Sequence, residues 1–249
     1  MRKPFQGVLN IVRFNWHFFA IGFAFILFVL VFAAYLNNQY SSLLHISAAI
    51  GFCSMIMPLA VSYHAYDLSG LYNFSWINSN QTEQLIVNIN AGFDETSTML
   101  QQKFKSAELV VFDFYDPKLH TEVSIKRARK AYPAYAKTKQ IKNNHIPLAD
   151  NSADKIFLIF AAHEIRQVDE RIEFFKELQR IVKPEGEIYI TEHLRDLPNF
   201  LAYNLGAFHF YAKATWLAIF NAANLSIRQE TKTTAFITNF ILFKNGNTF

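Results

Sequence analysis

Between Arg13 and Asp67 the chain carries no Asp, Glu, Lys or Arg, an uncharged run of 53 residues. No core helix of a soluble domain is that long. Within the run, residues 18–36 and 43–61 each supply roughly the 20 apolar positions that a membrane-crossing helix requires. Only the polar knot Asn37-Asn38-Gln39-Tyr40-Ser41-Ser42 separates them. Residues 1–66 are therefore predicted to form a transmembrane helical hairpin, with the lipid bilayer as a partner of the chain.

Orientation follows from charge. Arg2, Lys3 and Arg13 precede the first apolar run and no acid lies before Asp67, which by the positive-inside tendency puts the N-terminus in the cytoplasm. Two crossings return the chain to the same side. The expected location is the inner, cytoplasmic membrane, multi-pass, with the remaining residues in the cytoplasm. A cleaved signal peptide competes, but its apolar core would be shorter, about 7–15 residues. Re-entrant insertion of the second segment also competes, because it holds His45, Ser47, Ser54 and Pro58. Residues 67–82 read as an aromatic interfacial linker, whose Tyr and Trp side chains suit either the headgroup zone or the core of the following domain.

Residues 67–249 hold 21 basic and 20 acidic side chains, a balance that gives no reason to expect nucleic acid. One cationic stretch stands out, from Lys118 to Lys142, with Glu122 its single acid; it suits either anionic headgroups or a solvated helix face. Cys53 is the sole cysteine, so no disulfide framework or cysteine metal site can form within the chain.

Residues 83–249 alternate between strand and helix patterns. Strands are predicted at 84–91, 108–113, 155–161 and 187–192, with a weak one near 139–143. Helices are predicted at 95–104, 121–131, 169–181 and 213–223, and residues 183–186 read as a break. Residues 226–231 and 236–243 read as an antiparallel hairpin at one edge. This order argues for an α/β fold with a mostly parallel sheet covered by helices on both faces. Ligands of such sheets bind beyond the carboxyl ends of the strands, where strand order reverses.

Two passages carry a resemblance. Ile146-Pro147-Leu148-Ala149-Asp150-Asn151-Ser152-Ala153-Asp154-Lys155-Ile156-Phe157 resembles "LPF-x-D-x-S-F-D-x-V". Glu177-Leu178-Gln179-Arg180-Ile181-Val182-Lys183-Pro184-Glu185-Gly186-Glu187-Ile188 is similar to "E-x-x-R-V-L-K-P-G-G-x-L". Both belong to the class I S-adenosylmethionine-dependent methyltransferases, close to the type 11 branch, and the resemblance covers residues 83–243. It implies a Rossmann-like methyltransferase sheet and S-adenosylmethionine as cofactor. The family's cofactor loop, an acid followed by three alternate glycines, aligns with Asn88-Ile89-Asn90-Ala91-Gly92-Phe93-Asp94, which keeps one glycine of three.

By the same resemblance Asn88, Asn90 and Gly92 would face the methionine part of the cofactor. Asp113 would accept the ribose hydroxyls, or else cap a turn. Phe114 would flank the adenine, and Leu148 or Asp150 would border its edge. His163 and Glu164 follow the fourth strand, and His193 follows the fifth; these are the candidates for proton transfer from an acceptor, with helix capping the alternative for His163. His209 would line an apolar substrate pocket. No metal is expected, because His163-Glu164-Ile165-Arg166 lacks the second histidine of an HExxH pattern.

The expected activity is methyl transfer at a membrane to a lipophilic small molecule, on oxygen or carbon. A catalytically degenerate methyltransferase-like scaffold is the alternative. An NAD-dependent oxidoreductase is weaker, for want of a G-x-G-x-x-G turn. Oligomeric state is left open.

Overall fold

The computed structural model describes residues 2–79 and 81–245. Two long helices open the chain, α1 (Gln6–Ala33) and α2 (Asn38–Tyr63), packed as an antiparallel pair. Both are long and apolar enough to cross a membrane. Their outer faces leave rings such as Phe18, Phe25, Phe28 and Phe52 exposed. Where they touch they are close: a Cβ on Gly22 would lie 2.7 Å from Met55 Sδ.

The rest of the chain is built on a seven-stranded sheet. Its elements run β1 (Leu85–Asn90), α3 (Ser97–Lys103), β2 (Glu108–Asp113), α4 (Val123–Ala131), β3 (Lys139–Gln140), β4 (Ala153–Ile159), α5 (Val168–Ile181), β5 (Val182–Glu192), α6 (Leu197–Tyr203), α7 (Lys213–Ala222), β6 (Leu225–Thr234) and β7 (Ile237–Lys244). Strand order is β3-β2-β1-β4-β5-β7-β6. Pairings are parallel except those of β7, which runs antiparallel to both β5 and β6. Strands β1 and β4 are buried on both faces because helices cover each side, as the apolar runs 85–87 and 156–159 within them require. Order reverses between β1 and β4, and that reversal places the site.

Two departures from the sequence reading are instructive. Residues 183–186 do not break the chain but lie inside β5. The register jumps from Ala153↔Val182 to Lys155↔Glu187, so Pro184 and Gly186 sit in a bulge, where a missing N–H costs no ladder bond. Helix α6, not anticipated, starts on Asp196, whose side chain accepts from the Asn199 amide.

The aromatic linker is a plug in the domain core. Phe74 and Ile77 are buried with Ile86, Leu100, Phe104 and Tyr189, and Leu71 with Ile237. The hairpin is fastened as well. Asp67 accepts hydrogen bonds from the Gly7 and Val8 amides at 2.8 and 2.9 Å, satisfying two of the donors that a helix start leaves free. Helix α1 loses helical geometry at Asn15 (φ −116°, ψ 18°). Arg127 Nη1 donates to the Phe14 carbonyl there at 2.6 Å.

Candidate active site

Two neighbouring cavities lie beyond the carboxyl ends of the strands, and Glu164 borders both. The first, about 260 Å³, sits at the β1/β4 reversal. Its floor includes Asn88, Asn90 and Phe160; its roof comes from α1, through Gly7, Asn10 and Phe14, and from α4, through Ile125 and Ala128. The second, about 610 Å³, lies past the ends of β2, β3 and β4, between Tyr115, Lys142–Asn144 and Arg166.

Asn88 is buried, and its Nδ2 donates to Thr96 Oγ1 (2.9 Å) and Ser97 Oγ (2.8 Å). Asn90 Oδ1 accepts from the Gly92 amide, while its Nδ2 donates to the Phe112 carbonyl. Gly92 has φ +95°, and a Cβ there would meet Tyr115 at 2.8 Å; only glycine fits both constraints. Asp94 takes up the Thr96 and Ser97 amides at the start of α3. Its other oxygen is buried without a hydrogen bond. Phe93 packs edge-on against Phe14, so the loop that holds fewer glycines is matched by a ring from α1.

Asp113, 2 % exposed, lies at the tip of β2 but not on the wall of either cavity. Its carboxylate accepts from Arg129 Nη1 (2.6 Å), Gln140 Nε2 (2.7 Å) and the Tyr115 amide (2.8 Å). Arg129 thus covers Asp113 and faces Gly92, whose carbonyl it also reaches at 3.3 Å. Phe114 borders the second cavity but packs its ring against Phe174 in the core. Leu148 and Asp150 are elsewhere: Arg180 donates to the Leu148 carbonyl and pairs with Asp150 at 2.7 Å. Neither borders either of these two cavities.

His163 lies between two carboxylates, with Nδ1 2.7 Å from Glu192 and Nε2 3.2 Å from Glu164. Burial alone would lower its pKa, but the two carboxylates outweigh that and push it up to about 10. The imidazole is therefore protonated at neutral pH, with both nitrogens donating. Burial would raise the Glu164 pKa, yet hydrogen bonds from His163 and His209 and the nearby Arg166 hold it well below the usual range. What the cavity meets at this point is a carboxylate backed by an imidazolium.

His193 is placed differently. Its Nδ1 lies 2.9 Å from the Phe236 carbonyl, which can only accept, so Nδ1 carries the proton and Nε2 accepts from the Tyr66 hydroxyl at 2.6 Å. Phe160 and Phe210 stack on its ring. Burial drives its pKa down to about 4. It borders neither cavity and ties the end of the hairpin to the sheet.

His209 lines neither of the two cavities. It joins His163 and Glu164, and their potential ligand atoms lie within 4.8 Å of one another. The second histidine missing from the local motif is thus supplied from 46 residues downstream. Arg166 Nη2 lies 2.7 Å from His209 Nε2, so a guanidinium competes for the position a cation would take.

Several residues of the site escaped the sequence reading. Glu95, on the first cavity, accepts from Arg2, Gln6, Asn10 and Tyr72. Phe160 holds φ +52°, unusual for a bulky residue and a strain of about 1–3 kcal/mol of the kind kept at functional sites. Glycine-loop neighbours gave no sign of Glu95; Phe160 had no local signal at all.

Residues 87–190 match a family described as a methyltransferase domain, of type 11. Among solved structures, an O-methyltransferase family 2 protein from Planctomyces limnophilus in complex with apigenin is 12 % identical (TM-score 0.52), the match covering 77 % of this chain and 62 % of that one. Human N-acetylserotonin methyltransferase in complex with SAM is 15 % identical (TM-score 0.51), covering 80 % of this chain and 56 % of that one. A SAM-dependent methyltransferase from Aquifex aeolicus is 16 % identical (TM-score 0.48), with 74 % and 97 % covered. No curated protein matches the chain in sequence. At these identities the first two structures speak for the fold alone. Residues 87–190 thus resemble a methyltransferase domain, and the sheet has the fold of solved methyltransferases.

Proposed function

We propose that the protein is a membrane-anchored methyltransferase that transfers the methyl group of S-adenosylmethionine to a lipophilic small molecule. One observation carries this reading: the cavity at the β1/β4 reversal is roofed by the first turns of α1, the same helix that continues as an apolar span. An acceptor that partitions into lipid would meet the site where the hairpin enters the domain. Arg2 pairs with Glu95 at 2.9 Å, which keeps the N-terminus on the domain's side of the hairpin. With Arg2, Lys3 and Arg13 before the span, that side is assigned to the cytoplasm.

The residues fit the cofactor in two respects. Asn88, Asn90 and Ala91 line the first cavity at the end of β1, and an orphaned carboxylate oxygen of Asp94 is buried nearby. Asn88 and Asn90, with the backbone at Gly92 behind them, would hold the methionine part, and residues 142–144 with Tyr115 the adenine; Asp113 would take the ribose once Arg129 and Gln140 release its carboxylate. The cofactor supplies an electrophilic methyl on a sulfonium. The chain's own task is alignment: Glu164 would orient an acceptor hydroxyl by taking its hydrogen bond, with His163 keeping Glu164 ionised. Because His163 already holds a proton, it serves as an electrostatic partner rather than as the first proton acceptor.

A second reading, a non-catalytic relative, draws on the Arg129–Asp113 pair, which occupies the carboxylate a ribose would use. Calorimetric titration of the full chain in lipid nanodiscs with S-adenosylmethionine separates the two. Binding that weakens at least tenfold in Asp113→Ala supports the enzyme; no binding by folded protein removes it.

A further inference from the structure

A third apolar element lies beside the hairpin. From Leu197 to Ala212 the chain again has no Asp, Glu, Lys or Arg. This stretch forms α6 and a following 3-10 segment, Asn204–His209. The buried side of α6 is small or polar, through Asn199 and Ala202, and its outward side is apolar. Leu197 (69 %), Leu201 (65 %), Leu205 (77 %) and Phe208 (60 %) are exposed, with Phe200 between them at 44 %. Their spacing of three and four residues forms one continuous stripe. That polarity is the reverse of a surface helix in water.

Its position explains the reversal. Helix α6 packs on α2, and Asn204 Nδ2 donates to the Ser54 carbonyl at 3.3 Å. Ser54 lies nine residues before the end of α2 at Tyr63, about 13 Å along the helix. It also lies seven residues inside the apolar run that ends at Val61, about 10 Å below its edge. The stripe therefore lies at a depth where α2 itself faces hydrocarbon.

We infer that residues 197–208 form an interfacial membrane element, embedded from the domain's side in the lipid leaflet alongside α2. This rests on the hairpin crossing the bilayer. The occupant of the stripe is lipid acyl chain, as its continuity with the exposed faces of α2 requires, and the depth is the ~5–10 Å typical of helices lying in the interface. The leaflet then reaches to Phe208, one residue from His209. The His209 imidazole is 3.8 Å from Glu164 on the wall of the first cavity. An amphiphile lying in that leaflet would have its polar end level with Glu164 while its tail stayed among lipid chains.

The single cysteine makes the test direct. In the full chain carrying Cys53→Ser, an environment-sensitive fluorophore is placed by Leu205→Cys, Phe28→Cys or Glu173→Cys. Each protein is reconstituted into phosphatidylcholine–phosphatidylglycerol vesicles with nitroxide-labelled lipids. The inference expects Leu205 to be blue-shifted and quenched about twofold or more, most strongly by a nitroxide high in the acyl chain, as the interfacial depth requires. Phe28 should be quenched most by a deep nitroxide, and Glu173, on exposed α5, by neither. A Leu205 probe as wet as the Glu173 probe, with Phe28 still quenched, overturns the interfacial element and leaves the anchor standing. A Leu205 probe that is blue-shifted but not quenched means protein covers the stripe, which also overturns it. If Phe28 is unquenched as well, the anchor and the inference fall together.

Discussion

The ends of β4 and β5 each carry a histidine beside a glutamate, His163-Glu164 and Glu192-His193, yet the two imidazoles end in opposite states. His163 turns toward carboxylates and is held charged at the edge of a cavity. His193 turns toward a carbonyl, a tyrosine hydroxyl and two stacked rings, and stays neutral. Glu192 belongs to the first histidine rather than to its own neighbour. Sequence adjacency says little about pairing at strand ends, because successive residues point to opposite faces. One histidine backs Glu164, which borders both cavities, and the other joins the hairpin to the sheet.

The sharpest way to break this contrast is by activity. Glu164→Gln should lower kcat by about 10²-fold, the size of a loss of acceptor alignment. His193→Gln should leave kcat within about tenfold while reducing stability. Equal losses would erase the distinction.

Next comes pH. A pKa raised to about 10 in His163 gives stability that is fully present below the unfolded value near 6.5 and lost as pH rises through 10, at most about 5 kcal/mol. The depressed pKa of His193, about 4, acts on the other side. Its contribution is present above 6.5 and lost as pH falls toward 4, at most about 3 kcal/mol. Denaturant unfolding in detergent across pH 4–10 should show both arms, with His163→Gln flattening only the alkaline one and His193→Gln only the acid one. The smallest effect is expected from Tyr66→Phe, which leaves His193 Nε2 buried without a donor and should cost about 1–3 kcal/mol. In the same variant the alkaline arm should be unmoved.

The two passages that carried the family resemblance turn out to grip each other. Arg180 donates to the Ile146 and Leu148 carbonyls and pairs with Asp150, while Glu177 accepts from the Ile146 amide. Asp154 likewise holds the amides of Gln84 and Leu85 together with Lys183. These motifs were legible because they clamp the sheet, so they predicted the fold well. For the same reason Leu148 and Asp150 lie away from the cavities. The apolar stretches within β1, β4 and β5 were also plain, since the parts of a strand covered on both faces are mostly apolar.

Helix α6 was not legible, because a helix polar toward protein and apolar outward mimics no soluble pattern. In the sequence Arg129 is one of a cationic run, and only the fold brings it onto Asp113. The contacts of Glu95 join residues 23 to 93 positions apart, beyond the reach of any local spacing rule.

Glu95 and Asp67 clasp α1 through Arg2, Gln6, Gly7, Val8 and Asn10, and Arg127 and Tyr132 hold Phe14 and Asn10. None of these bonds needs the short turn after Ala33 that leads into α2. Severed in that turn, the polypeptide would keep its first segment in place. Two separately expressed fragments, 1–35 and 36–249, should find one another in a bilayer and rebuild the roof without a covalent link.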